Sequence, residues 1–101
     1  MWFWVTAQAR AGASPQAIAA KRRQWVARGK DRQLRALCRT AHRYVVAGHS
    51  PPQVFWLLEA GDPGAVQLIA EHFSDLWTLD VRVVVPQPLA EAVAGRGRKR
   101  T

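Results

Sequence analysis

The sequence predicts an α+β half-sandwich, one four-stranded layer beside two helical stretches in the order strand, helix, strand, strand, helix, strand. Three observations carry this. The strand-like runs are apolar on both faces: in Met1-Trp2-Phe3-Trp4-Val5-Thr6, Trp2 and Trp4 project to one side and Phe3 and Val5 to the other. The two helical stretches suffice to cover one of those faces. The chain has only 101 residues, which leaves no second cover, so the other face is expected to be buried against a partner.

The first strand is expected over about Trp2 to Ala9. Gly12-Ala13-Ser14-Pro15 breaks it and starts a helix, with Ser14 as N-cap and Pro15 in the first turn. Ala17, Ile18, Trp25 and Val26 form a narrow apolar stripe on that helix, with Lys21, Arg22 and Arg23 largely off it. Gly29-Lys30 either ends the helix or only weakens it. Beyond it, the spacing of Leu34, Leu37, Cys38 and Ala41 predicts that helix resumes to about Leu37.

The second strand is expected from about Arg39 to Ala47, and Gly48-His49-Ser50-Pro51-Pro52 connects it to the third, because tandem proline cannot sit inside a central strand. The third strand, Gln53 to Ala60, is almost wholly apolar. Asp62 is read as the N-cap of the second helix, with Pro63 at its first position. Val66, Ile69, Ala70, Phe73 and Trp77 recur at helical spacing and form its buried stripe. The fourth strand is expected over Val81 to Val85, stopped by Pro86 and Pro88. Residues 1–90 are thus read as one domain and 91–101 as a basic, disordered tail.

Hydrophobic residues at 49% and charged ones at 22% are ordinary globular composition. The single cysteine, Cys38, excludes an intramolecular disulfide and fits a reducing cytoplasm. No basic leader precedes the opening apolar run, and no stretch approaches the ~20 apolar residues of a spanning helix. A soluble, cytoplasmic protein without membrane contact is therefore expected. The net charge of +8 is unevenly placed. Residues 1–50 carry ten Lys and Arg against Asp31, residues 51–95 carry Arg82 against six acids, and the tail adds Arg96, Arg98, Lys99 and Arg100. A bipolar body of this kind favours self-association at least as much as binding to a polyanion.

Several segments resemble the dimeric α+β barrel group, and within it the muconolactone-isomerase-like branch with its uncharacterised members. They are Met1-x-Phe3-x-Val5, Val46-Ala47-Gly48-His49, Glu59-Ala60-Gly61-Asp62-Pro63, Phe73-Ser74-Asp75-Leu76 and Asp80-Val81-Arg82-Val83-Val84-Val85-Pro86. The resemblance spans about residues 1–90. It implies a ferredoxin-like β-α-β-β-α-β protomer, a four-stranded antiparallel sheet with both helices on one face. In that group two such sheets pack face to face as a homodimer and enclose a pocket. The isomerases carry polar, proton-handling side chains on the inward face of the first strand. Here those positions hold Trp4 and Thr6, so no catalytic residue is transferred.

His42 and Tyr44 lie two apart on the second strand and share a face. If that face is inward, they meet Trp2, Trp4 and Thr6. A neutral histidine beside a phenol and indoles suits an aromatic ligand, with His42 as base and Tyr44 as acid or oxyanion donor, and needs no cofactor. His49 is a candidate for the pocket rim. Trp56 is a candidate for the pocket wall or the dimer seam, depending on strand register. Glu59 and Arg82 meet only if their strands are adjacent. Trp25 and Trp77 read as core, and His72 as packing or surface. His42, His49 and His72 lack metal-ligand spacing, and no Gly-rich phosphate loop exists, so neither metal nor cofactor is expected.

The expected function is binding, or cofactor-independent transformation, of a small apolar or aromatic molecule by a homodimer. One alternative is a nucleic-acid-binding module. Arg28, Arg32, Arg35 and Arg39 line one helical face if the helix continues through Gly29, and the tail adds further phosphate contacts. A non-catalytic structural or regulatory dimer is the other.

Overall fold

The computed structural model describes residues 1–89, so the basic tail lies outside the described residues. Its elements are β1 (Trp2–Ala9), α1 (Pro15–Ala27), α2 (Lys30–Leu37), β2 (Cys38–Val45), β3 (Gln53–Ala60), α3 (Gly64–Phe73) and β4 (Trp77–Val84). The strands form one sheet in the order β2-β3-β1-β4, antiparallel at every pairing. This is the α+β ferredoxin-like arrangement, with three helices where the sequence suggested two stretches. Among the described residues no helix is long and apolar enough to cross a membrane.

Local chemistry explains most boundaries. Ser14 caps α1, its Oγ accepting the Ala17 N–H at 3.1 Å. The last turn of α1 closes when the Arg28 N–H donates to Gln24 O at 2.9 Å and the Gly29 N–H to Val26 O at 3.0 Å. Gly29 then takes φ +67°, a left-handed conformation that costs a residue with a Cβ roughly 1–2 kcal/mol. Gly29 therefore ends one helix and leads into another, and the unbroken arginine face proposed through it does not form. Arg28 caps α1, Arg32 and Arg35 ride on α2, and Arg39 belongs to β2.

The core lies between the helices and one sheet face. Trp25 of α1 is 1% exposed, Ile69 of α3 0%, and Val5 and Leu58 of the central strands 0%. Val26 departs from its expected stripe and is 56% exposed. Successive helical residues are about 100° apart, so a Trp25 aimed squarely at the sheet turns Val26 outward. On α3, Val66, Ile69 and Phe73 are buried as the spacing predicts, joined by Ala65 and His72. His72 is a packing residue that ties α3 to α1, its Nε2 donating to Lys21 O at 2.9 Å.

Two ends of α3 differ from expectation. The capping position is Pro63, with Asp62 one step earlier, where its Oδ1 accepts the Gly64 N–H at 2.8 Å. Trp77 does not complete the helical stripe; it opens β4, four residues before the expected start at Val81. The cause is pairing with β1, which extends β4 back to the Ala9–Trp77 pair. Arg10 continues the join, its N–H donating to Leu76 O at 2.8 Å and its guanidinium to Ser74 O at 2.9 Å. β2 likewise starts at Cys38 and stops at Val45, short of Ala47. It contains a bulge: Cys38 opposes Ala60 and Thr40 opposes Glu59, leaving Arg39 without a partner.

Candidate functional site

Alternation along the strands sorts every sheet residue to one of two faces. The helix face takes Phe3, Val5, Ala7 and Ala9 of β1 and Val54, Trp56, Leu58 and Ala60 of β3, all buried. The opposite face has no cover from the described residues. Its composition follows directly from the pairing registers. Thr40, Glu59, Trp2 and Val84 stand side by side across the four strands, followed by His42, Leu57, Trp4 and Arg82. The next row is Tyr44, Phe55, Thr6 and Asp80, and the last is Gln53, Gln8 and Thr78.

The free face thus brings together Trp2, Trp4, Thr6, His42 and Tyr44. Its centre is aromatic: Trp4 and Phe55 approach at 5.3 Å between ring centroids, and Phe55 is the registered neighbour of Tyr44. Leu57 separates His42 from Trp4, a span of roughly 10 Å across two inter-strand spacings. The His42 and Tyr44 rings stack at 6.3 Å with 30° between their planes. Tyr44 remains 49% exposed, so its phenol and the neighbouring imidazole are open to whatever meets this face.

Polar groups frame the aromatic centre. On β4, the Arg82 Nε donates to Asp80 Oδ2 at 2.9 Å. Toward β2, the Thr40 hydroxyl donates to Glu59 Oε1 at 3.2 Å. Glu59 and Arg82 do not pair, because β1 runs between their strands. At the Trp2 end, Trp2, Leu57, Val84, Val85 and Pro86 line an open apolar hollow of about 290 Å³.

One expected site residue falls elsewhere. Trp56 faces the helices, 6% exposed, with its ring 5.9 Å from that of Phe73. It is a core residue on the far side of the sheet from Trp4. His49 sits in the β2–β3 connection with its Nδ1 at 2.6 Å from Pro51 O, a contact that folds it into its own turn. Phe55 and Leu57 take the positions that Trp56 was expected to share. A signal for this was present: Gln53 and Glu59, the polar ends of the strand, have the parity of Phe55 and Leu57, and polar side chains mark the uncovered face. Cys38 is half-buried on the helix side, and burial pushes its thiol pKa up, which makes it a poor nucleophile. Among the described residues, no group of three or more His, Cys, Asp or Glu is placed to hold a metal ion.

No protein-family model matches the chain, and no curated protein matches it. Among solved structures, the chain is similar to one described as the crystal structure of an antibiotic biosynthesis monooxygenase. The two are 15% identical with a TM-score of 0.50, over 85% of this chain and 100% of that one. At that identity the likeness speaks to fold alone: it supports the ferredoxin-like arrangement and does not pick out the muconolactone-isomerase-like branch.

Proposed function

We propose that this chain is one half of a homodimeric α+β barrel, which closes over the free sheet face and binds, or transforms without a cofactor, a small apolar or aromatic molecule. One observation carries the reading. A central strand pair presents Trp2, Trp4, Phe55 and Leu57 on a face that the chain's own helices leave uncovered, with the His42–Tyr44 pair directly beside them. Two such faces in contact would remove the aromatic surface from water, which is the dominant favourable term in association. Within the closed space His42 is placed to take a proton and Tyr44 to donate one or to stabilise an oxyanion. The muconolactone-isomerase-like branch is the finer placement we favour, and the lone free thiol Cys38 suits a cytoplasmic setting.

Native mass spectrometry of the purified full chain tests this first. A dimer, with or without a bound small-molecule mass, is expected; a clean monomer at micromolar concentration overturns the reading. Trp4→Lys is expected to yield a folded monomer, because a central aromatic contact of an interface typically contributes about 2 kcal/mol or more. His42→Ala is expected to keep the dimer and to weaken ligand affinity or turnover. A His42→Ala dimer that binds the co-purifying molecule unchanged would remove His42 from the site.

A further inference from the structure

A second hollow, of about 280 Å³, lies on the helix side of the sheet where α1 and α2 meet the outer edge of β2. Its floor is apolar: Leu34 is 4% exposed, Trp56 6%, and Ala41 lies beside them. Its rim carries three guanidinium groups, Arg22, Arg35 and Arg43, against one carboxylate, Asp31. Asp31 is itself anchored, because Trp25 Nε1 donates to its Oδ1 at 3.2 Å. It lies 3.5 Å from Arg35 and, more loosely, 3.9 Å from Arg22. Arg43 has neither an ion pair nor a side-chain hydrogen bond among the described residues. One carboxylate cannot neutralise three cations, so the hollow keeps an excess of positive charge.

We propose that this hollow binds a small organic anion, with its oxyanion head held between Arg22 and Arg43 and its apolar body resting on Leu34, Ala41 and Trp56. Guanidinium groups offer a forked set of donors that matches carboxylate and phosphate oxygens. The two arginines also sit close enough to repel: burial, and then the charge of Arg22, push the Arg43 guanidinium pKa below its usual range, with Asp31 only partly opposing them. A bound anion would relieve that repulsion. The hollow opens on the helix side of the sheet, away from Tyr44 and Trp4, with His42 at its edge.

The test is titration of the ¹⁵N-labelled full chain with phenyl phosphate, benzoate and inorganic phosphate at fixed ionic strength, following arginine Nε–H and tryptophan indole signals. The expected result is saturable movement of Arg22, Arg43 and Trp56 with at least one organic probe, tighter than with inorganic phosphate, while Trp2 and Trp4 stay still. Arg43→Gln and Arg22→Gln are each expected to weaken that binding by roughly tenfold or more, as loss of a charged hydrogen bond does, and Arg28→Gln to leave it unchanged. Failure of both organic probes to saturate these signals overturns the proposal. So does inorganic phosphate binding as tightly as they do, or affinity that neither arginine variant lowers.

Discussion

Leu57 and Leu58 are consecutive in sequence and occupy different worlds. Leu58 is completely buried beneath the helices, whereas Leu57 stands half-buried between His42 and Trp4 on the uncovered face. The same contrast separates Trp56, in the core against Phe73, from Trp4, paired with Phe55 in the open. The helix face is finished by the chain itself. The other carries comparable apolar groups with nothing of the described chain over them. Composition alone cannot tell the two faces apart; the difference is what the chain places opposite each of them.

Substitution at this leucine pair sharpens the contrast most. Leu58→Ala is expected to lower the unfolding free energy by about 2–5 kcal/mol in chemical denaturation, because a close-packed site cannot collapse around the void. Leu57→Ala is expected to cost less in dilute protein, and to show its main effect as a denaturation midpoint that depends on protein concentration. Equal losses at both positions, independent of concentration, would erase the distinction between the faces.

A smaller effect probes the scaffold of the finished face. Ser14→Ala removes the oxygen that accepts the Ala17 N–H and is expected to cost about 1 kcal/mol, leaving any dimer intact. Retention of full stability would mean that α1 is held by Trp25 alone.

The smallest concerns pH. The Asp75 carboxyl is held below its usual range, first by a hydrogen bond from Lys21, whose Nζ donates to Oδ2 at 2.8 Å. A carboxylate with a depressed folded pKa adds stability above its unfolded value of about 3.9, and that stability is lost as pH falls through the lower folded value. Asp75 is 62% exposed, so solvent screening keeps the contribution below about 1 kcal/mol. Lys21→Met is therefore expected to be slightly less stable than the parent at neutral pH, and the two acid-denaturation curves to converge once pH falls below the depressed folded value. A gap of constant size across the whole range would mean that Lys21 acts through packing.

Much of the scaffold was legible because its signals are local. Ser14-Pro15 starts α1, the tandem prolines end the β2–β3 connection, and the spacing of Val66, Ile69 and Phe73 defines the buried side of α3. What escaped depends on partners distant in sequence. Trp77 looked helical because its spacing from Phe73 fits a helix, and only pairing with Ala9 makes it a strand residue. The facing of Trp56, by contrast, could be read from the polar parity of Gln53 and Glu59 on its own strand. The shared face of His42 and Tyr44 was readable, since it needs only strand alternation. The arginine-rimmed hollow was not: Arg22, Asp31 and Arg43 come from three elements, and their approach depends on the break at Gly29.

The bulge at Arg39 bears on how this chain can vary in length. In an uninterrupted ladder Arg39 would oppose Ala60 and bring its charge under the helices, while Cys38 would turn outward. As an unpaired extra residue, Arg39 lets Cys38 point inward and leaves His42 and Tyr44 facing out. Loss of Arg39 would therefore restore a regular ladder with every other side chain on its present side. Loss of any one residue from Ala41 to Tyr44 would instead carry part of the strand through to the opposite side. Tolerance to a one-residue gap is thus concentrated at a single point of β2, as a slack link confines play to one place in a chain.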